Sequence, residues 1–257
     1  MCGQLGYFSE RMTRDDWADA REDMKHLQEI LDSTPVTKTY HNPTGSRCWA
    51  ILQEDPGEMI QAQFGYYHEY KGKLSWRFNV RSEGGFHNQS EDPNYDGPWE
   101  IFTNPFAREQ IIKRRCVVPA NFFVEQPLGG KPKKKFIIRK KTAEVEYPAF
   151  FLGAIYDWIT DKETGEHYPG FSLITTAAAP IMKPVLHPRS PLVIPPKLVY
   201  DWLDPQLTED QIISFFGPFD SSGFETFEVD TVIAKKKLPI PEDDESLIMP
   251  ISEIYPG

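Results

Sequence analysis

The sequence predicts an α+β fold: a single domain built on a mainly antiparallel, barrel-like sheet with helices at its periphery. Three observations carry that expectation. Short extended runs bounded by Pro, Gly, Asn or Asp recur from residue 36 almost to the end, as antiparallel strands do. Segments with helical spacing are few and lie outside those runs, which favours segregated helices over a regular βαβ alternation. The 257 residues, 40% of them hydrophobic, hold no repeat and no clear linker, so one sizeable core is expected. Residues 1–237 are assigned to this domain. Residues 238–257, rich in Pro and acid, are assigned to a tail of the same domain that wraps its surface or frays.

Residues 3–10 read as a short strand leading away from the N-terminus. Thr13 then opens a helix with Asp15 and Asp16 in its first turn, where they suit the positive end of the helix dipole. Trp17, Ala20, Met24, Leu27 and Leu31 recur at three- and four-residue steps, so the helix packs one apolar face until Thr34-Pro35 stops it. Cys48–Leu52 and Met59–Phe64 read as strands around the turn Asp55-Pro56-Gly57. An aromatic stretch follows to Asn79, then a polar loop at 84–99 and a short helix at 104–114. Cys116–Ala120 and Phe122–Glu125 read as strand, bend, strand. A Gly-Gly turn at 129–130 precedes a run from Lys131 to Lys141 in which seven of eleven residues are basic around a short apolar strand. Ala149–Tyr156 and Phe171–Thr176 read as buried strands, and 178–183 as one helical turn. Helices are expected at 197–204 and 208–216, and a last alternating strand at Phe224–Ile233.

The chain carries a net charge of −10, from 28 basic and 38 acidic residues. That excludes indiscriminate nucleic-acid binding but not a local basic groove. Thirteen of the 28 basic residues fall in three clusters, 113–115, 131–141 and 235–237. Clusters beside aromatic residues suit a single-strand channel, and they equally suit solvated strand ends. No run of eighteen apolar residues and no secretory pattern occurs, so no membrane span is expected. The three cysteines, Cys2, Cys48 and Cys116, lack metal-ligand spacing. They are read as reduced thiols of an intracellular protein that needs neither metal nor other cofactor.

Cys2 has a chemistry of its own. Once Met1 is trimmed, Cys2 presents an amine and a thiol on adjacent carbons. The amine can condense with an aldehyde to an imine, and the thiol can close on the imine carbon as a five-membered thiazolidine. An α-amino group titrates near ~7.8 and a lysine near ~10.4, so the terminus is the better nucleophile at neutral pH. Taken alone, Cys2 reads better as an incidental residue at a frayed end. Asn79 alone reads as a turn residue, and Arg81 with Glu83 as a surface ion pair. Glu125 is either buried with a raised pKa or on the solvent face of its strand, and a lone His187 is more often structural than catalytic.

Read together, Met1-Cys2-Gly3, Asn79-Val80-Arg81-Ser82-Glu83, the 114–125 segment RRCVVPANFFVE, Ile174-Thr175-Thr176 and the 186–195 segment LHPRSPLVIP resemble the motifs of the SOS-response-associated peptidase (SRAP) family, in order, from residue 2 to about 235. Members of that family process abasic sites. The resemblance implies that Cys2 attacks the ring-opened aldehyde of an abasic deoxyribose in single-stranded DNA and forms a thiazolidine crosslink that shields the lesion. It implies that Asn79 holds the terminal residue, that Glu125 is the acid/base and that His187 assists proton transfer. Arg81 and Arg189, with Lys131, Lys133 and Lys134 of the basic run, are then expected to contact DNA. Departures lie around the expected groove: Phe64-Gly65-Tyr66-Tyr67-His68 stands where the family usually has Trp-Gly-Leu-x-Pro, Gln126 where it has Trp, and Ser190 where it has Met. A monomer in the cytoplasm, associated with the nucleoid, is expected. Two competing functions start from the same residues: an N-terminal-cysteine peptidase acting on its own Met1, and a non-covalent binder of modified or single-stranded DNA.

Overall fold

Alternation of side chains along five strands dictates the centre of the molecule. A computed structural model describes residues 2–7, 22–35, 38–83, 97–129, 134–142, 147–235 and 237–257. In chain order it holds β1 (Gln4–Tyr7), α1 (Glu22–Ser33), β2 (Thr39–Pro43), β3 (Arg47–Leu52), β4 (Asp55–Phe64), β5 (Tyr66–Tyr70), β6 (Lys73–Arg77), β7 (Asn79–Arg81), α2 (Glu100–Thr103) and α3 (Arg108–Lys113). There follow β8 (Arg115–Ala120), β9 (Phe122–Glu125), β10 (Lys135–Lys140), β11 (Phe150–Thr160), β12 (His167–Ala177), β13 (Arg189–Pro191), β14 (Val193–Ile194), α4 (Val199–Leu203), α5 (Glu209–Ile213), β15 (Phe224–Val229) and β16 (Tyr255–Pro256).

Strands β12, β4, β3, β8 and β11 hydrogen-bond in that order, and β11 returns to β12, which closes a five-stranded barrel. All its pairings are antiparallel except β12 with β4. Because successive residues of a strand face opposite sides, Ala50 and Leu52, Cys116 and Val118, Leu152 and Ala154 fall in one buried cluster. Their neighbours Ile51, Val117, Phe151 and Ile174 fall in a second, with Trp202 of α4 and the apolar face of α1. A six-stranded sheet, β16-β15-β10-β9-β1-β2, lies beside the barrel. Its residues Leu5, Phe123, Phe136 and Ile138 join the cluster of the first set, while Phe122, Val124 and Ile137 face a third cluster. The α+β class, the single domain and the barrel therefore stand as the sequence predicts.

Elements differ from expectation where tertiary contacts outweigh local pattern. Trp17 and Ala20, like the loop at 84–96, lie outside the described residues, and the described helix begins at Glu22 with Met24, Leu27 and Leu31 buried. The aromatic stretch folds as the β5–β6 hairpin. The alternation through Ile233 stops as a strand at Val229, and Ile233 is buried from a 3-10 turn, Thr231–Ala234. The tail does not fray: Leu247 and Ile248 are buried, and Tyr255 pairs with Thr226. No helix among the described residues is long and apolar enough to cross a membrane.

Two positions show how sequence is fitted to this frame. Arg115 is fully buried, and its guanidinium donates to the carbonyls of Ile111, Ile112, Trp202 and Asp204 at 2.7, 2.9, 2.8 and 2.5 Å. It thereby satisfies the acceptors that end α3 and α4. Burial lowers its pKa to about 10, which still leaves it charged. Gly6 of β1 lies against Phe122 of β9, and a Cβ there would sit 2.1 Å from the ring. Gly6→Ala is expected to destabilise the fold by about 1–3 kcal/mol through overpacking, read as a lower denaturant midpoint; an unchanged midpoint would mean that the ring moves aside.

Candidate active site at Cys2

The N-terminal strand brings Cys2 to the seam between barrel and sheet. β1 is held between β2 and β9, which carries Cys2, two residues before its start, into the packed interior. Cys2 is 1% exposed, and its Sγ donates to the Gln4 carbonyl at 3.7 Å. Burial pushes the thiol pKa far above its ordinary value, and the Glu125 carboxylate pushes it further the same way. At neutral pH Cys2 is therefore a thiol, and a base is needed to make it a nucleophile.

Asn79 comes from the other side of the seam. β7 hangs on β12 in parallel register, with Asn79 opposite Leu173 and Arg81 opposite Thr175. From there Asn79 Nδ2 donates to the Cys2 carbonyl at 2.8 Å, fixing the main chain of the cysteine.

Glu125 ends β9 and is 2% exposed, so it does not lie on the solvent face of its strand. Its Oε1 accepts from the Gln126 N–H at 3.1 Å and lies 3.9 Å from His187 Nε2. That separation is beyond a direct hydrogen bond. His187 follows Leu186, which turns the backbone at φ +57 and leaves its own side chain 73% exposed. A leucine in the left-handed region is strained, and such strain collects at functional sites. His187 Nδ1 is 2.8 Å from the Arg189 carbonyl and 3.3 Å from the Arg189 N–H. The two contacts call for opposite tautomers: a protonated Nδ1 donates to the carbonyl, whereas an unprotonated Nδ1 accepts from the amide and leaves Nε2–H to face Glu125. Burial pulls the His187 pKa below its ordinary value, with Glu125 opposing the shift, so the imidazole is neutral at pH 7. A cavity of 270 Å³ opens beside Glu125, bordered by Gly3, Gln126 and Lys135, and one of 690 Å³ opens beside His187.

The expected DNA contacts fare unevenly. Arg81 lines a further cavity, of 340 Å³, together with Asn79. Arg189 is not on the surface. Its side chain is 7% exposed, and it donates to Glu83 Oε2 at 2.5 Å, to Thr175 Oγ1 at 3.1 Å and to the Thr175 carbonyl. Glu83 thus pairs with Arg189, where the sequence suggested Arg81. Lys134 is half-buried and bonded to Glu228 at 2.7 Å. Lys131 and Lys133 lie outside the described residues. The sequence reading passed over Thr175 as a contact of Arg189, and over Arg77 of β6, which shares the cavity of Arg81. The Thr-Thr strand motif was the available signal for the first; no motif marks the second.

Fold and site together define a barrel protein with a buried cysteine at position 2, held by an asparagine and neighbouring a buried glutamate that in turn lies near a histidine. The chain belongs to the SOS response associated peptidase (SRAP) family, whose model matches residues 1–236. Among curated relatives, the abasic site processing protein YoqW of Bacillus subtilis strain 168 is 28% identical over 145 residues, 55% of this chain and 62% of YoqW. The abasic site processing protein YoaM of the same organism is 28% identical over 142 residues, 53% of this chain and 59% of YoaM. The matched part thus spans about three fifths of these relatives. A crystal structure of a protein from Bacteroides thetaiotaomicron superposes with a TM-score of 0.67 at 22% identity, covering 98% of this chain and 100% of that one. A phage-related protein from Bordetella bronchiseptica gives 0.56 at 16%, covering 90% and 95%. Both likenesses concern the fold.

Proposed function

We propose that this protein processes abasic sites in single-stranded DNA by capturing the lesion covalently on Cys2. The supporting observation is the arrangement at the seam: the Cys2 main chain is anchored by Asn79, the Glu125 carboxylate acts on the buried thiol, and His187 lies 3.9 Å from Glu125. The names of the curated relatives agree with abasic-site processing.

In this reading Met1 is removed first, because an amide-bound Cys2 has no free amine. The Cys2 amine adds to the ring-opened aldehyde, and loss of water gives the imine. The thiol then adds to the imine carbon as its proton passes to base, and the imine nitrogen takes up a proton to complete the thiazolidine. Neutral His187 and Glu125 are the groups placed to carry these protons, and each would otherwise have to be replaced by solvent. Asn79 holds the carbonyl still, so the amine and thiol meet the aldehyde from a fixed position. The cavities on either side of the Glu125–His187 pair suit the strand entering and leaving.

Intact-mass measurement after incubation with an oligonucleotide carrying one abasic site tests the proposal. The expected species is the processed protein plus the oligonucleotide, less one water. Peptide turnover without an adduct would instead favour a peptidase, and salt-sensitive binding with neither would favour a plain DNA binder. Glu125→Gln is expected to slow adduct formation by about 10²-fold while leaving the anisotropy of bound, undamaged DNA unchanged. Equal loss of both would make Glu125 a structural residue.

A further inference from the structure

The cavity that Arg77 and Arg81 share has features that capture of an aldehyde does not use. In the β5–β6 hairpin Tyr66 pairs with Arg77 and His68 with Ser75, which puts Tyr66, His68 and Arg77 on one face. Below that face stands Phe106. The Arg77 guanidinium carbon lies 4.2 Å from the Phe106 ring centre, and the His68 ring meets the same ring edge-on at 4.7 Å.

Arg77 Nε is buried without a hydrogen-bond partner. Among the described residues no carboxylate or carbonyl pairs with this guanidinium. The buried Nε loses water and gains nothing in return except the contact of its guanidinium with the ring. Asn79 Oδ1, at the same cavity, is also buried without a partner. The cavity measures 340 Å³, and its charged lining is Arg77, Arg81 and the carboxylate of Glu100, a net positive set. An occupant that satisfies it offers acceptors to Arg77 and a donor to Asn79 Oδ1. It also carries negative charge and has a flat group to lie with the guanidinium and the ring. A nucleotide has all of these: phosphate oxygens, sugar or base N–H and O–H donors, and a base that stacks on aromatic and guanidinium planes. The volume falls at the lower end of small-ligand pockets, about 300–1,000 Å³, which suits one nucleotide and not several.

We propose that the cavity beneath the β5–β6 hairpin is a subsite for one undamaged nucleotide of the strand adjoining the lesion, its phosphodiester on Arg77 beside Arg81 and its base against the Arg77–Phe106 stack. This rests on the reading that the protein acts on single-stranded DNA. It gives the hairpin, which stands where the resembling family usually carries Trp-Gly-Leu-x-Pro, a role in choosing the sequence or strand context of the lesion. Arg77 is a binding residue here, and it takes no part in bond making.

The test is a salt titration of binding, followed by fluorescence anisotropy with the full chain and a labelled undamaged single-stranded oligonucleotide. Arg77→Met is expected to weaken binding about tenfold and to make the slope of log K against log salt shallower by about 0.7, the loss of one phosphate contact. Lys162→Met removes the same charge from the exposed turn between β11 and β12 and is expected to match wild type. Arg77→Lys keeps the charge and restores the slope without restoring the affinity, since the stack is lost. Independently of any variant, replacing one phosphate at a time by a neutral methylphosphonate in the strand offered to wild type should reveal a single position with the same loss. At that position Arg77→Met should add no further loss. Affinity and slope unchanged in Arg77→Met, or equal losses at every methylphosphonate position, would overturn the subsite. Failure of the lesion chemistry reads differently: no adduct forms with the abasic oligonucleotide, yet the Arg77 effect on undamaged DNA persists.

Discussion

Cys2→Ala is expected to abolish the durable adduct with an abasic oligonucleotide altogether. The variant keeps a terminal amine and can still form an imine, but an imine in water hydrolyses. Only the sulfur, two bonds from the nitrogen-bearing carbon, closes the five-membered ring that lasts. Cys2→Ser tests the same point with a change of one atom: the oxygen ring is less stable, so its adduct should be lost on heating or with hydroxylamine, while the wild-type adduct survives both. Cys2 is 1% exposed and serine fills nearly the same volume, so the variant is expected to keep the wild-type stability in denaturant unfolding to within about 1.5 kcal/mol. A heat-stable adduct from Cys2→Ser would sink the thiazolidine chemistry and leave the imine as the product.

Arg189→Met is expected to be the most destabilising single change near the site, by about 3–5 kcal/mol, measured by urea unfolding. The Arg189 and Glu83 side chains are 7% and 5% exposed and meet at 2.5 Å. Removing the arginine leaves a buried carboxylate without its countercharge, which costs more than the pair itself contributes. Burial already pulls the Arg189 pKa down, and the Glu83 carboxylate opposes that shift. The double variant Arg189→Met/Glu83→Gln should recover much of the loss, because no charge is then stranded. If Arg189→Met unfolds like wild type but loses DNA affinity, the arginine serves the nucleic acid and the ion pair with Glu83 is incidental.

The difference between Arg189 as expected and Arg189 as found marks where a sequence stops being legible. An arginine after His-Pro reads as a surface cation because its partner lies 106 residues away, and nothing local announces it. The barrel strands were legible because burial on one face leaves an alternation: Cys48–Leu52 was expected and Arg47–Leu52 is found. Closure of the barrel was legible only as a tendency, since the parallel pairing of β12 with β4 and β7 joins segments about a hundred residues apart. Ile233 misled for a physical reason: an apolar residue at the strand period is buried just as well from a 3-10 turn. Of the site, Asn79, Glu125 and His187 came from motif order, and their burial and mutual distances did not. Arg77 lies in an aromatic stretch without a motif, so only the cavity around it distinguishes it from any other basic residue on a hairpin.

The seam between the two sheets has a consequence in time. The Cys2 main chain is anchored from residue 79, the carboxylate that disfavours its thiolate comes with residue 125, and the imidazole near that carboxylate arrives with residue 187. Ribosomes add roughly 5–20 residues per second, so roughly ten to forty seconds separate the appearance of the cysteine from that of its last neighbour. Contacts so distant in sequence also form late in folding. In the nascent chain Cys2 is an ordinary cysteine, and its special environment is among the last things the molecule completes.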